Sequence, residues 1–233
     1  IAGATNSSLV IPGAQLAQAG NYSAIVSNAF GIAISSNALL KVLVPHTAGL
    51  VAYYPFSGSA YDASGNGNDG TVVGAIPTSD RLGTANSAYS FTGVATPEGV
   101  IKVQTTQFSL APDFSFAAWV NFTGGIDSPR IFSTAGWEVG TGGTGSSRFI
   151  NFNTTTGLQL YDCTSSNAFA AGIWHHVVAV RSANQMSLYI DGKLQRSIAT
   201  TGNPNYSRNF VPEIGGNSGS NRDAFGGKID EVC

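Results

Sequence analysis

The chain has 233 residues, of which only 10% are charged, against roughly 25% in an average soluble domain. A net charge of -2 and a pI near 5.8 leave no electrostatic footprint for nucleic acid or an anionic membrane surface. The 13 Phe, 8 Tyr and 3 Trp supply core material that a disordered chain lacks, and no apolar run reaches the roughly 18 residues of a membrane-spanning helix, so no membrane insertion is expected.

Glycine is 29 of 233 residues, about 12% where about 7% is usual. Helical periodicity is nearly absent. Short alternating or wholly apolar runs recur between Gly, Asn, Ser and Pro, the pattern of an all-β sandwich or barrel. No signal peptide is visible, and the first residue is Ile1, which reads as a piece of something longer.

In chain order, residues 1–44 hold about three strands, beginning with Tyr22-Ser-Ala-Ile-Val26. They are too few to enclose a core. A linker is expected at 45–49, Pro45-His46-Thr47-Ala48-Gly49, because Pro and Gly interrupt strand pairing. Residues 50–233 are long enough for a full sandwich. Their strand signals are Val51–Phe56, Phe114–Phe122, Phe149–Phe152, Leu158–Tyr161 and Trp174–Val180. Phe114–Phe122 is apolar on both faces, as in a strand covered on each side, and Trp119 and Trp174 read as core. Met186–Ile190, then Asp191-Gly192, then Lys193-Leu194 predicts a hairpin, since Asp-Gly supplies the positive φ of a type I′ turn.

Several groups invite chemistry. Between Asp62 and Gly70 lie Asp62, Ser64, Asn66, Asn68 and Asp69, separated by glycines. Calcium takes six to eight hard oxygens, and such a loop offers them; the same residues also make ordinary turns. The position twelfth from Asp62 is Val73, not the Glu of an EF-hand. His175 and His176 alternate on a strand and cannot chelate one ion from the same face. Glu98, Glu138, Glu213 and Glu231 do not form the paired-carboxylate run of a sandwich glycosidase. Asp230 and Glu231 are expected on opposite faces of a strand. No nucleophile elbow, phosphate loop or His-Glu-x-x-His occurs, so no enzyme is expected.

Sugar binding without catalysis asks for an exposed aromatic face beside amides and charges. Trp137, in Ala135-Gly136-Trp137-Glu138, is the candidate, the other reading being one more core residue. Arg148, Asn151, Asn153, Tyr161 and Asp162 lie near it if 148–152 and 157–161 form a hairpin. For Cys163 and Cys233 three states are open: one intramolecular disulfide, a bridge between chains, or two unpaired thiols.

Two resemblances bear on fold and function. Ala19-Gly-Asn-Tyr-Ser-Ala24 and Val26-Ser-Asn-Ala-Phe-Gly31 resemble the last three strands of a bacterial immunoglobulin-like domain, with Tyr22 as its tyrosine corner. The motifs Leu50–Gly58, Asp62–Gly70, Ala88–Gly93, Phe114–Trp119, Trp174–Ala179, Leu188–Gly192 and Gly227–Val232 resemble, in order and spacing, the laminin-G-like, concanavalin-A-like jelly rolls of large secreted bacterial proteins. The second resemblance implies an antiparallel jelly-roll β-sandwich over 50–233. It also implies one structural calcium, held by Asp62, Asn66 and Asn68 together with Asp230 of the last strand. The expected function is a non-catalytic, extracellular recognition or adhesion module that binds a glycan or a cell-surface protein. The alternatives are a subunit of an extracellular assembly or filament, self-associating through 1–44, and an ancillary domain of a secreted carbohydrate-active enzyme.

Overall fold

The computed structural model describes residues 1, 5–11, 18–40, 49–94, 99–105, 108, 112–125, 128–142, 148–157, 159–206, 211–217 and 223–233. His46, Glu98 and most of the expected linker lie outside them. The chain divides into two compact units, Ile1–Ala48 and Gly49–Cys233. No α-helix occurs among the described residues.

The first unit has four short strands where three were expected: β1 (Gly20–Tyr22), β2 (Ile25–Asn28), β3 (Gly31–Ile34) and β4 (Ala38–Leu40). The Tyr22–Val26 run is interrupted at 23–24, so β1 pairs with β4 and β2 with β3. Every residue of β2 and β3 is exposed, and Phe30 at the hairpin tip is 98% exposed.

The second unit contains β5 (Gly70–Val73), β6 (Ile76–Thr78), β7 (Ala88–Thr92), β8 (Val100–Val103), β9 (Phe114–Gly125), β10 (Arg130–Ser133) and β11 (Trp137–Gly142). There follow β12 (Phe149–Thr156), β13 (Gln159–Thr164), β14 (Trp174–Ser182), β15 (Gln185–Ile190), β16 (Lys193–Ala199), β17 (Glu213–Ile214) and β18 (Phe225–Asp230). Two seven-stranded antiparallel sheets result, in the orders β13-β12-β11-β10-β17-β8-β5 and β16-β15-β14-β9-β18-β7-β6. They enclose one core: Ile131 and Phe132, neighbours where a bulge shifts the register of β10, with Trp137, Val139, Ile150 and Phe152 from the first sheet, and Phe116, Ala118, Val120, Phe122, Val177 and Ala179 from the second. This is an all-β jelly-roll sandwich.

The predicted hairpin is β15–β16, with Asp191 at φ 51° and Gly192 at φ 73°, the left-handed values its turn requires. Residues 51–56 form no strand; they contribute one antiparallel bridge, Tyr54 to Val232. In β9 only the even positions from Phe116 to Phe122 are buried; Ser115 is exposed, and Ala117, Trp119 and Asn121 are partly exposed. Trp119 and Trp174 are therefore not core residues. The outward face of Trp119 is covered by the Arg81 guanidinium at 4.6 Å and by the His176 ring at 5.0 Å.

Candidate functional site

Along β12 burial alternates strictly: Ile150, Phe152, Thr154 and Thr156 are buried while Phe149, Asn151, Asn153 and Thr155 are half-exposed. A strand turns successive side chains to opposite faces, so these four share the outer face of the first sheet. The register extends that face sideways. Asp162, Asn153, Glu138, Ser133, Glu213, Lys102 and Thr71 are successive partners across all seven strands. Thr164, Asn151, Gly140 and Arg130 form the adjacent row.

The middle of this face is closed. Ser133 and Glu213 are fully buried, Ser133 donating to Gly216 O at 2.7 Å and Glu213 pairing with Lys102 at 3.6 Å. The β11–β13 end is open. There Arg130 Nε pairs with Glu138 at 2.8 Å, Asn153 Nδ2 donates to the other Glu138 oxygen at 3.4 Å, and Thr164 donates to Asp162 at 2.6 Å. The Oδ1 atoms of Asn151 and Asn153 are buried and accept no hydrogen bond. Leaving such a group unmatched costs about 1–3 kcal/mol, so this face has unmet demand for hydrogen-bond donors.

The structure thus brings together Asn151, Asn153 and Asp162 of the expected site and sends the other three elsewhere. Trp137 is 6% exposed and stacks on Phe114 with centroids 4.5 Å apart. Thr134 makes that inward placement by closing the β10–β11 turn: its hydroxyl donates to Trp137 O and accepts from the Gly136 and Trp137 amides. Arg148 lies over the Phe122 ring at 4.8 Å, and Tyr161 is packed against the core, its hydroxyl bonded to Thr201 at 2.7 Å. Both follow the inward parity of their strands. Phe149 was missed although the Phe-Ile-Asn-Phe-Asn alternation signals it, and Glu138 was missed because only the β11–β12 register places it beside Asn153.

The residues expected to hold calcium do not fit one ion. Each Asp62 oxygen already accepts two hydrogens: Oδ1 from the amides of Tyr53 and Ser64, Oδ2 from the Ser64 hydroxyl and the Asn68 amide. Burial opposes ionisation there, yet these bonds hold Asp62 below the usual carboxylate range. Asn66 and Asn68 aim their NH2 groups at Val51 O, presenting hydrogens where a cation needs lone pairs. Asp230 is elsewhere, paired with Arg81 at 3.0 Å. The loop is joined to the last strand through Tyr54, whose hydroxyl donates to Asn68 O at 2.6 Å and whose backbone exchanges two hydrogen bonds with Val232.

Asp230 and Glu231 do not part to opposite faces. Glu231 has φ 47°, which breaks the strand alternation, and Arg81 takes both carboxylates, Glu231 at 3.2 Å. Burial first, then repulsion from Glu231, pushes the Asp230 carboxyl up to about 6. His175 and His176 face apart, as their alternation implies. His175 Nδ1 meets Asp191 at 2.8 Å and Nε2 meets Ala170 O at 3.3 Å. With both ring nitrogens engaged, this pair clamps the β15–β16 turn to β14 and offers no free base. Both cysteines are free. Of the three open states the intramolecular disulfide is not formed: Cys163 is buried with its thiol pushed up to about 11 by burial, and Cys233 is exposed, its backbone bonded both ways to Ala117.

The two seven-stranded sheets define a jelly-roll sandwich. A family profile described as "Concanavalin A-like lectin/glucanases superfamily" matches residues 92–233, more than half of the chain, and the protein belongs to that family. Among solved structures, domain 4 of an extracellular arabinanase from Geobacillus stearothermophilus, in complex with arabinotriose, matches with TM-score 0.59 and 18% identity, covering 78% of this chain and 89% of that one. The binding domain of Paraclostridial Mosquitocidal Protein 1 matches with TM-score 0.58 and 16% identity, over 77% of this chain and 47% of that one. The receptor-binding domain of botulinum neurotoxin mosaic serotype C/D gives 0.56 and 13%, over 78% and 46%. This chain spans about half of either toxin domain, and at these identities the likeness is one of fold. A sequence search of curated proteins finds no match.

Proposed function

We propose that residues 49–233 form a non-catalytic glycan-binding module that works outside the cell and binds across the open end of the first sheet. The observation that carries this is the outward row Phe149, Asn151, Asn153 and Thr155, flanked by Glu138 and by Asp162 and Thr164. An aromatic side chain beside amides and carboxylates on a rigid sheet suits a sugar, which shows an apolar face and a rim of hydroxyls. The arabinotriose complex of a domain with the same fold supports the reading. Affinity electrophoresis against a polysaccharide panel tests it. At least one polysaccharide should retard the protein, and Asn151→Ala with Asn153→Ala should weaken that binding about tenfold or more with the unfolding midpoint unchanged. No retardation by any polysaccharide would sink the proposal.

The scaffold is held by its own hydrogen bonds in this reading. Excess EDTA or calcium should therefore leave the thermal midpoint where it was, and a rise of several degrees with calcium would contradict the fit described above.

A second reading concerns the first unit. Tyr22 donates from its hydroxyl to Gln18 O, four residues upstream, at 2.6 Å, the bond of an immunoglobulin tyrosine corner. Ile25, Val26, Ile32 and Ile34 are all exposed, more apolar surface than a lone hairpin leaves in water. We read this unit as an immunoglobulin-like part that packs against further protein. Light scattering of this chain should show self-association that Val26→Lys with Ile32→Lys abolishes; a monomer at all concentrations counts against self-association.

A further inference from the structure

We infer that the open face selects neutral, hydroxyl-rich saccharides and rejects acidic ones, an inference that rests on the glycan-binding reading. The groups there ask for hydrogens. Asn151 Oδ1 and Asn153 Oδ1 are buried without a donor, and an amide oxygen can only accept. Asp162 is exposed and adds a carboxylate at the edge of the row, while Glu138 adds a second carboxylate beside Asn153.

The cation of the face is already committed. Arg130 holds Glu138 through Nε at 2.8 Å and donates from Nη1 to Ser128 O at 2.9 Å. Its side chain is 12% exposed. Where these side chains turn outward, a sugar hydroxyl can donate to each amide oxygen and accept from its NH2 group in turn. A uronate, sialate or sulfate brings more acceptors and a negative charge to a face whose free charge is negative, so it meets repulsion and leaves the amide oxygens unmatched. The half-exposed Phe149 makes no ring contact with another described aromatic residue and offers the apolar side of the ring a platform.

Isothermal titration of the full chain with length-matched arabinan and galacturonan oligosaccharides, at low and at high salt, tests this. The neutral ligand should bind at least tenfold more tightly, with the gap narrowing as salt rises. Glu138→Gln, which releases Arg130, should shrink the ratio of neutral to acidic affinity severalfold. Asp162→Asn, on an exposed edge strand and safe for folding, should shrink it too. An acidic ligand bound as tightly as the neutral one, through a site that Asn153→Ala abolishes, would overturn the selectivity and spare the glycan reading. Binding of no saccharide would overturn both, and ratios unmoved in the two variants would overturn the electrostatic cause.

Discussion

Replacing Trp137 by alanine should cost about 4 kcal/mol of stability, a large fraction of the roughly 5–15 kcal/mol that keeps a domain folded. Four rings pack around the indole: Phe114 at 4.5 Å, Phe132 at 5.0 Å, Phe116 at 6.0 Å and Phe152 at 6.4 Å between centroids. These rings come from both sheets, so deletion opens a cavity at the seam that neither sheet can close alone. Trp137→Phe keeps most of the contact and should cost less than half as much. Urea unfolding followed by far-UV circular dichroism measures both. A Trp137→Ala protein within 1 kcal/mol of wild type, but with saccharide affinity lost, would show the indole at the ligand instead of in the core.

Trp119 leaves the core place that its sequence context suggests, while Trp137, for which surface and core were both open, takes a core place. A flanking glycine suggests a surface loop around Trp137, yet Gly136 is there because Tyr206 packs against it; a Cβ would lie 2.6 Å from that ring. The apolar density around Trp119 suggests a core, yet Ser115 and Asn121 share its parity, and that parity faces out. Its cover arrives from Arg81, distant in sequence, which no local pattern reveals. The strands at 114–122, 149–152 and 174–180, the Asp191-Gly192 turn and the sandwich architecture are local or periodic properties, and they were legible. The register that aligns Asp162, Asn153 and Glu138 is not, because it depends on how three strands slide together.

The Asp62–Gly70 loop shows a different limit. Asp, Asn and Gly make both cation loops and self-bonded turns; what separates the two is the set of partners each side chain takes, four hydrogens on Asp62 and Arg81 on Asp230. The meeting of Asp230 and Glu231 on Arg81 was equally hidden. It requires the positive φ of Glu231, which follows the last strand where Val232 pairs with Tyr54.

That meeting gives the protein an inverted acid response at one residue. The Asp230 side chain is 2% exposed, and its carboxyl ionises at about 6 in place of 3.8. Burial is the main cause; Glu231 and Asp80 reinforce it and Arg81 opposes it. A folded-state value above the unfolded one means that the folded protein binds the proton more tightly, so this group adds stability as pH falls through 6, an addition complete only below 3.8. The difference corresponds to about 3 kcal/mol. His176, held below its usual value chiefly by burial, runs the other way, its contribution lost as pH drops under 6.5. Comparing wild type with Asp230→Asn separates the two, because His176 is common to both. Asparagine keeps the shape and an oxygen for Arg81 but carries no charge at any pH. The stability of wild type minus that of the variant should therefore climb by about 2 kcal/mol between pH 7 and pH 4, with most of the rise below pH 6. Urea titrations of both proteins at pH 7, 6, 5 and 4 read this directly. Two parallel stability curves would mean that Arg81 neutralises Asp230 fully and that its burial costs the folded state nothing.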